Sequence, residues 1–254
     1  MTDPTPRKVT MRRALLAPLA LVALLLGSLA TTTAPASARP ARTTAPARAG
    51  AQWAGKDPAH NIVPVPAIQV PSSSCWGSPN SHACTKRVLK ALNHAHKVLG
   101  KSAYKIPSGF LSMTPGQQLR VLTNDDRAAY KLSRVSALNP VLNAAARVGA
   151  DAGLDPRPVA INGAGVAAFT SNFAEGSGPI ENPVFAYYEW MYEDGLNSHN
   201  KSHNADCSVS HRSGCWGHRH DVLFKFPKGK LLMGVSSGRF GGFKTWAVLY
   251  ESVR

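Results

Sequence analysis

Three helix starts written into the chain constrain its fold more than any other feature. Thr114-Pro115, Asn139-Pro140 and Asn182-Pro183 each set a cap residue directly before a proline. The cap oxygen satisfies a backbone N–H that the first helical turn leaves without a partner, and proline brings no N–H of its own. Apolar residues at helical spacing follow each start: Leu119, Leu122 and Ala129; Val141, Ala144, Ala145 and Val148; Phe185, Tyr188 and Tyr192. Gly195 is a suitable stop for the third. An earlier helix is predicted from Val88, Leu92, Ala95 and Leu99, with Gly100 ending it. Residues 159–173 mix apolar residues with glycine and read as a strand. Residues 231–235 and 246–250 flank Gly238, Gly241 and Gly242, which predicts an antiparallel hairpin with a longer loop. Helices, then a strand, a helix and a C-terminal hairpin make a mixed α/β layer fold. There is no regular βαβ alternation, no glycine fingerprint before a helix and no internal repeat, which argues against a dinucleotide fold.

The N-terminal segment has a different composition. Arg7, Lys8, Arg12 and Arg13 precede an uncharged Leu/Ala-rich run from Ala14 to Ala30, and Ala36-Ser37-Ala38 has small residues at A-x-A spacing. These features predict a secretory signal peptide over residues 1–38. A transmembrane anchor is the alternative, but the run is short for a span and carries Pro18 and Gly27. The Arg12-Arg13 pair is weak support for a twin-arginine signal. No other stretch is long and apolar enough to span a bilayer, so a secreted, extracellular chain without a transmembrane segment is expected after cleavage. Residues 39–74 read as an Ala/Pro/Arg-rich linker and arm. As far as about Ala54 they lack the large apolar residues a core needs; beyond it, Pro64, Pro66 and Pro71 favour an extended arm on the domain. Residues 75–110 are then a disulfide-bearing helical extension, and 111–254 the main domain.

Cys75, Cys84, Cys207 and Cys215 form two locally spaced pairs. An oxidising exterior favours disulfides; of three connectivities, 75–84 and 207–215 are preferred because neighbouring cysteines meet most often. The chain has 29 basic and 14 acidic side chains, a net charge of +15. That balance permits an anionic cell-wall polymer or a lipid head group as partner. The basic residues are scattered and no nucleic-acid motif is present, so specific nucleic-acid binding is not expected, and a plain solubilising surface is the blander reading.

Residues 215–223, Cys-Trp-Gly-His-Arg-His-Asp-Val-Leu, are the most distinctive stretch. They resemble the Gly-His-Arg-x-Asn-Ile-Leu motif of bacterial secreted members of the CAP superfamily (cysteine-rich secretory proteins, antigen five and pathogenesis-related proteins; SCP-like domains). Leu122 to Arg127 is similar to that family's first-helix segment ending in Asn-x-x-Arg, and residues 138–146 to its second helix. Residues 172–176, Asn-Phe-Ala-Glu-Gly, resemble its Glu-Asn-Ile-Ala-x-Gly motif, and Trp190 to Glu193 its Trp-x-x-Glu helix. Met233 to Val235 and Trp246 to Tyr250 fall where the family places its last two strands. The order and spacing agree over 111–254, and the resemblance implies a three-layer α-β-α sandwich with a C-terminal antiparallel hairpin.

The family's cleft carries two histidines and two acidic residues, which in some members hold a divalent metal. The resemblance places His218 and Glu193 on two of these positions, while Thr123 and Ser171 stand at the other two. Half the set is thus replaced, and zinc usually takes three or four protein ligands, so no cofactor is expected by this route. His218 and Glu193 can form a proton-transfer pair, an imidazole tuned by a carboxylate. The blander reading is a structural histidine fixing the loop after Cys215. No G-x-S-x-G or H-E-x-x-H motif accompanies the pair. A separate divalent-metal reading rests on His199, His203, His211 and His220, but the surrounding Asn, Ser and Gly residues read as a solvated loop and oxidation would remove the thiolates. His94 and His96 sit two apart on a helix and face different ways. Phe185, Tyr188, Trp190 and Tyr192 read as core, Trp76 and Trp216 as packing over their disulfides, and Glu175 and Glu181 as residues at the cleft mouth or facing water. The expected function is a non-catalytic extracellular binding or interaction module at the cell envelope, with a lipid-like or wall ligand. The alternative is an extracellular hydrolase, metal-assisted or not, using His218 and Glu193.

Overall fold

The computed structural model describes residues 52–62, 73–194 and 215–254. All three cap–proline pairs open helices. Thr114 and Gln117 form a reciprocal capping box before α3 (Pro115–Ala129). Asn139 Oδ1 accepts from the backbone N–H groups of Val141 and Leu142 at the start of α4 (Pro140–Ala152). Asn182 does the same for Val184 and Phe185 at the start of α5 (Pro183–Tyr192), which ends at Tyr192; Gly195, its expected stop, lies outside the described residues. Earlier in the chain, α1 (Ser73–Trp76) precedes α2 (His82–Val98), whose cap is Ser81. A short helix, α6 (Gly217–Val222), follows α5.

Four strands make one mixed sheet in the order β1-β3-β4-β2. The centre is the predicted C-terminal hairpin, β3 (Lys230–Phe240) against β4 (Phe243–Val253). Its loop is shorter than expected. Gly241 and Gly242 both take positive φ, 55° and 88°, so a two-residue turn closes the hairpin and both strands run on to Phe240 and Phe243. β2 (Val166–Gly176) pairs antiparallel with β4. It begins later than Val159, because Ile161 and Ala164 close a tight turn on themselves first. β1 (Ala137–Leu138) is parallel to β3 and has only two residues.

Alternation along β3 and β4 sends side chains to two cores. Leu231, Met233, Val235, Trp246, Val248 and Tyr250 pack among residues of α2, α3 and α5, including Leu92, Leu122 and Trp190. Leu232, Ala247 and Leu249 face α4 through Leu142, Ala146 and Ala150. Each such side chain contributes roughly 1.5–3 kcal/mol on full burial. Helix α4 presses so closely on β3 that a Cβ at Gly234 would lie 2.2 Å from the Leu142 carbonyl carbon. The observed class is therefore α/β, with helices against both faces of a mixed sheet.

The segment expected to be a structureless linker as far as Ala54 is already bound by Gln52. Lys225 N–H donates to the Gln52 carbonyl and Ala54 N–H to that of Leu223, with Trp53 bridged to Phe224. The Trp53 ring stacks on that of His220 at 3.8 Å, a contact its large apolar surface allows. At Ile62 the arm meets α5: its N–H donates to the Tyr192 carbonyl and its carbonyl accepts from the Tyr188 hydroxyl. Cys75 and Cys84 are disulfide-bonded. Cys215 is also in a disulfide; Cys207, its expected partner, lies outside the described residues. Among the described residues, no helix is long and apolar enough to cross a membrane.

Candidate functional site

Glu193 and Asp194 follow directly on α5, and α6 presents His218 to them. The Asp194 carboxylate holds His218 twice: one oxygen accepts from its backbone N–H at 2.8 Å, the other pairs with ring Nδ1 at 3.0 Å. Asp194 is buried and the His218 side chain keeps a 21% exposed edge. A carboxylate on Nδ1 fixes both tautomer and ring orientation. The His218 carbonyl in turn accepts from Asn172 Nδ2 at 3.1 Å, which ties α6 to β2. The residue that orients the imidazole is thus Asp194, one position past the Glu193 that the family pattern selects.

Glu189, one turn before Glu193 on α5, completes the group. Burial, then the nearby Glu193 charge, pushes the Glu189 carboxyl up to about 8, with His218 pulling the other way. Burial alone raises Glu193 to about 7. A carboxyl whose folded pKa lies above its unfolded value binds more protons when folded. Its contribution therefore favours the fold at low pH and is lost as pH rises from about 4 through 8. Glu189→Gln should accordingly melt above the wild type at pH 9 and close to it at pH 5. A Tm difference independent of pH would refute the assignment.

The other sequence candidates are placed as follows. His220 turns to Asp57, whose two oxygens lie 2.8 and 2.9 Å from Nε2, and clamps the N-terminal arm. His199, His203 and His211 lie outside the described residues. Thr123 is buried, 3.2 Å from the Tyr250 hydroxyl. Ser171 is half-buried on β2. Tyr188, Trp190 and Tyr192 are buried in the core and Phe185 packs against it. Trp216 is buried beneath the Arg219 guanidinium, whereas Trp76 is largely exposed. Glu175 is exposed and Glu181 half-buried. Among the described residues no three His, Cys, Asp or Glu side chains converge as a metal site.

A second polar group was hidden in the sequence. Asp126, fully buried on α3, accepts from Tyr104 (2.5 Å), Tyr187 (2.6 Å) and Tyr192 (2.8 Å), and pairs with His96 Nε2 at 2.9 Å. His96 Nδ1 meets the Ser102 carbonyl at 2.6 Å, an acceptor only, so that nitrogen carries a hydrogen. Burial opposes ionisation of Asp126, but the His96 hydrogen bond and charge and the tyrosine hydroxyls outweigh it and hold its pKa below the ordinary value. Beside His96 a concavity of about 370 Å³ opens, lined by Lys101, Lys105, Asp125 and Arg134 among others.

Compared with known protein families, curated proteins and solved structures, the chain matches none.

Proposed function

We propose that the chain is an exported, non-catalytic binding module with a CAP-type three-layer α-β-α sandwich, whose ligand cleft lies at the meeting of α5, α6 and β2. The observation that carries this reading is how the motif segments bond to one another. Asn172 of the Asn-Phe-Ala-Glu-Gly stretch holds the carbonyl of His218 in the Gly-His-Arg stretch. Trp190 of the Trp-x-x-Glu helix donates to the Phe173 carbonyl. Arg127 of the Asn-x-x-Arg segment donates to the Val222 carbonyl. Segments far apart in sequence are thus bonded to α6 and β2, one of them at His218 itself, as a shared cleft requires. Both His218 nitrogens described above, ring and backbone, are spent on Asp194, and Glu189 and Glu193 are held toward their neutral forms. Neutral carboxyls donate hydrogen bonds to a polar or lipid-like head group, and they are poor ligands for a divalent cation.

A hydrolase is the second reading. It is favoured by the Asp194–His218 pairing itself, the arrangement that orients a general base. Native mass spectrometry of the chain recovered from culture medium tests both. The expected species starts after Ala38, carries two disulfides and retains an organic ligand that Glu193→Gln and His218→Ala release. Free thiols or a retained metal would revive the histidine-rich metal site, and a ligand-free species would remove the support for the cleft. Turnover of an ester or amide panel, abolished in a folded His218→Ala variant, would decide for the hydrolase.

A further inference from the structure

One end of the sheet gathers large apolar side chains in water. Phe240 and Phe243 flank the Gly241-Gly242 turn and are 46% and 49% exposed. The Phe240 ring lies against Gly153 at the end of α4, which brings it beside Leu154, 54% exposed. Trp76, 52% exposed, rests its ring on Gly178, just beyond Gly176, the last β2 residue to pair with β4. These exposed residues gather at the end of the sheet that the turn closes.

Cations stand directly behind the tip. Arg239 and Lys244 face each other across the strands in the pair next to Phe240 and Phe243. Like charges placed opposite one another on neighbouring strands are unfavourable without a counter-charge. Arg147 on α4 adds to them: burial, then the charges of Arg239 and Arg147, lower the Lys244 pKa, and the opposing pull of Glu181 is the weakest influence. Of the other acids here, Asp151 is already engaged by Arg147 at 2.5 Å, and Glu175 is exposed on β2 beside Gly176, the register partner of Lys244. The field at Lys244 is therefore net positive.

We infer that this hairpin tip docks on an anionic lipid bilayer, with Phe240, Phe243, Leu154 and Trp76 entering the head-group/acyl boundary and Arg239, Lys244 and Arg147 meeting lipid phosphates. Protruding aromatic and aliphatic groups backed by cations match the two parts of such an interface, an apolar layer under a negative surface. Trp suits the boundary because its ring is apolar and its N–H remains hydrated. The surface is distinct from the His218 cleft, so either reading can fail without the other.

The test uses the full chain and its Phe240→Ser/Phe243→Ser variant with vesicles of phosphatidylcholine alone or mixed with phosphatidylglycerol. Wild type should bind the anionic vesicles and bind neutral ones far more weakly. The variant, with unchanged circular dichroism and Tm, should bind the anionic vesicles about tenfold or more weakly. Because an apolar N-terminal stretch is common to both chains, insertion is read separately in Phe243→Trp, whose added emission should be quenched by lipids brominated in the upper acyl chain. Equal binding by wild type and variant, or no added quenching, would overturn the proposal. So would an equally strong, Phe-independent affinity for a soluble anionic polymer, which would assign the face to charge alone.

Discussion

Asp126→Ala should destabilise the protein by about 3–5 kcal/mol, because each buried donor left without its acceptor costs about 1–3 kcal/mol and four donors share this carboxylate. The substitution leaves the hydroxyls of Tyr104, Tyr187 and Tyr192 and the His96 ring facing a void, and these come from three different segments of the chain. Tyr187 and Tyr192 lie on α5 and His96 on α2, so the contact of both helices with α3 loosens together. Asp126→Asn keeps the shape, and the hydroxyl hydrogens can rotate toward or away from an amide, so its cost should be the smaller. Chemical denaturation reads the difference as a fall in midpoint. An Asp126→Ala variant within 1 kcal/mol of wild type would show that water or repacking replaces the carboxylate.

The same carboxyl sets a pH dependence of defined sign. Its folded pKa lies below the ordinary value, so the folded state binds fewer protons than the unfolded chain near pH 4. The stabilisation is therefore present above about pH 4 and is lost as pH falls through the folded pKa. Glu189 and Glu193 act in the opposite sense at higher pH, since theirs are raised. Together they place the stability maximum between the two ranges. Asp126→Asn should flatten the acid limb and leave the alkaline limb as it was.

What was legible in the sequence is what local chemistry dictates. Thr114, Asn139 and Asn182 cap helices because the cap bond spans two or three residues, and no distant contact is needed to form it. The terminal hairpin is likewise local, and only its turn was misjudged: glycines spread over Gly238 to Gly242 look like a loop until Gly238 is seen packed against Asp151 of α4. β1 was illegible because two residues carry no period, and the partners that define it, Leu232 and Met233, lie far along the chain. Asp194 was missed for a narrower reason. Two acids stand side by side at the end of α5, and which one faces His218 depends on how α5 terminates, with Glu193 already at the helix cap. The Asp126 group was hidden because His96, thirty positions away, reads as one more histidine on a helix, and Tyr187 and Tyr192 as plain core aromatics. Burial was foreseeable for those rings; the hydroxyls' shared acceptor was not.

Arg127→Met carries the other large effect, and it links stability to the site. The guanidinium is fully buried and serves three main-chain carbonyls: Ser133 through Nε at 2.6 Å, and Val222 and Phe224 through one terminal nitrogen at 2.7 and 3.1 Å. Methionine keeps much of the apolar stem but removes those donors; the Phe224 carbonyl still accepts from the Phe226 N–H at 3.1 Å, and each buried acceptor left unsatisfied costs about 1–3 kcal/mol. A total near 3–5 kcal/mol is expected, because the relieved desolvation of the cation offsets part of the sum. The loss should concentrate where Val222 and Phe224 sit, at the end of α6 and the turn after it. His218 lies one turn earlier on that helix, so its pairing with Asp194 should weaken while α4 and its side of the sheet stay closed. Hydrogen exchange separates the outcomes: faster exchange at 218–224 with unchanged protection in α4 is expected. Uniform acceleration across the chain would mean that Arg127 supports the whole core and has no particular hold on the helix that carries His218.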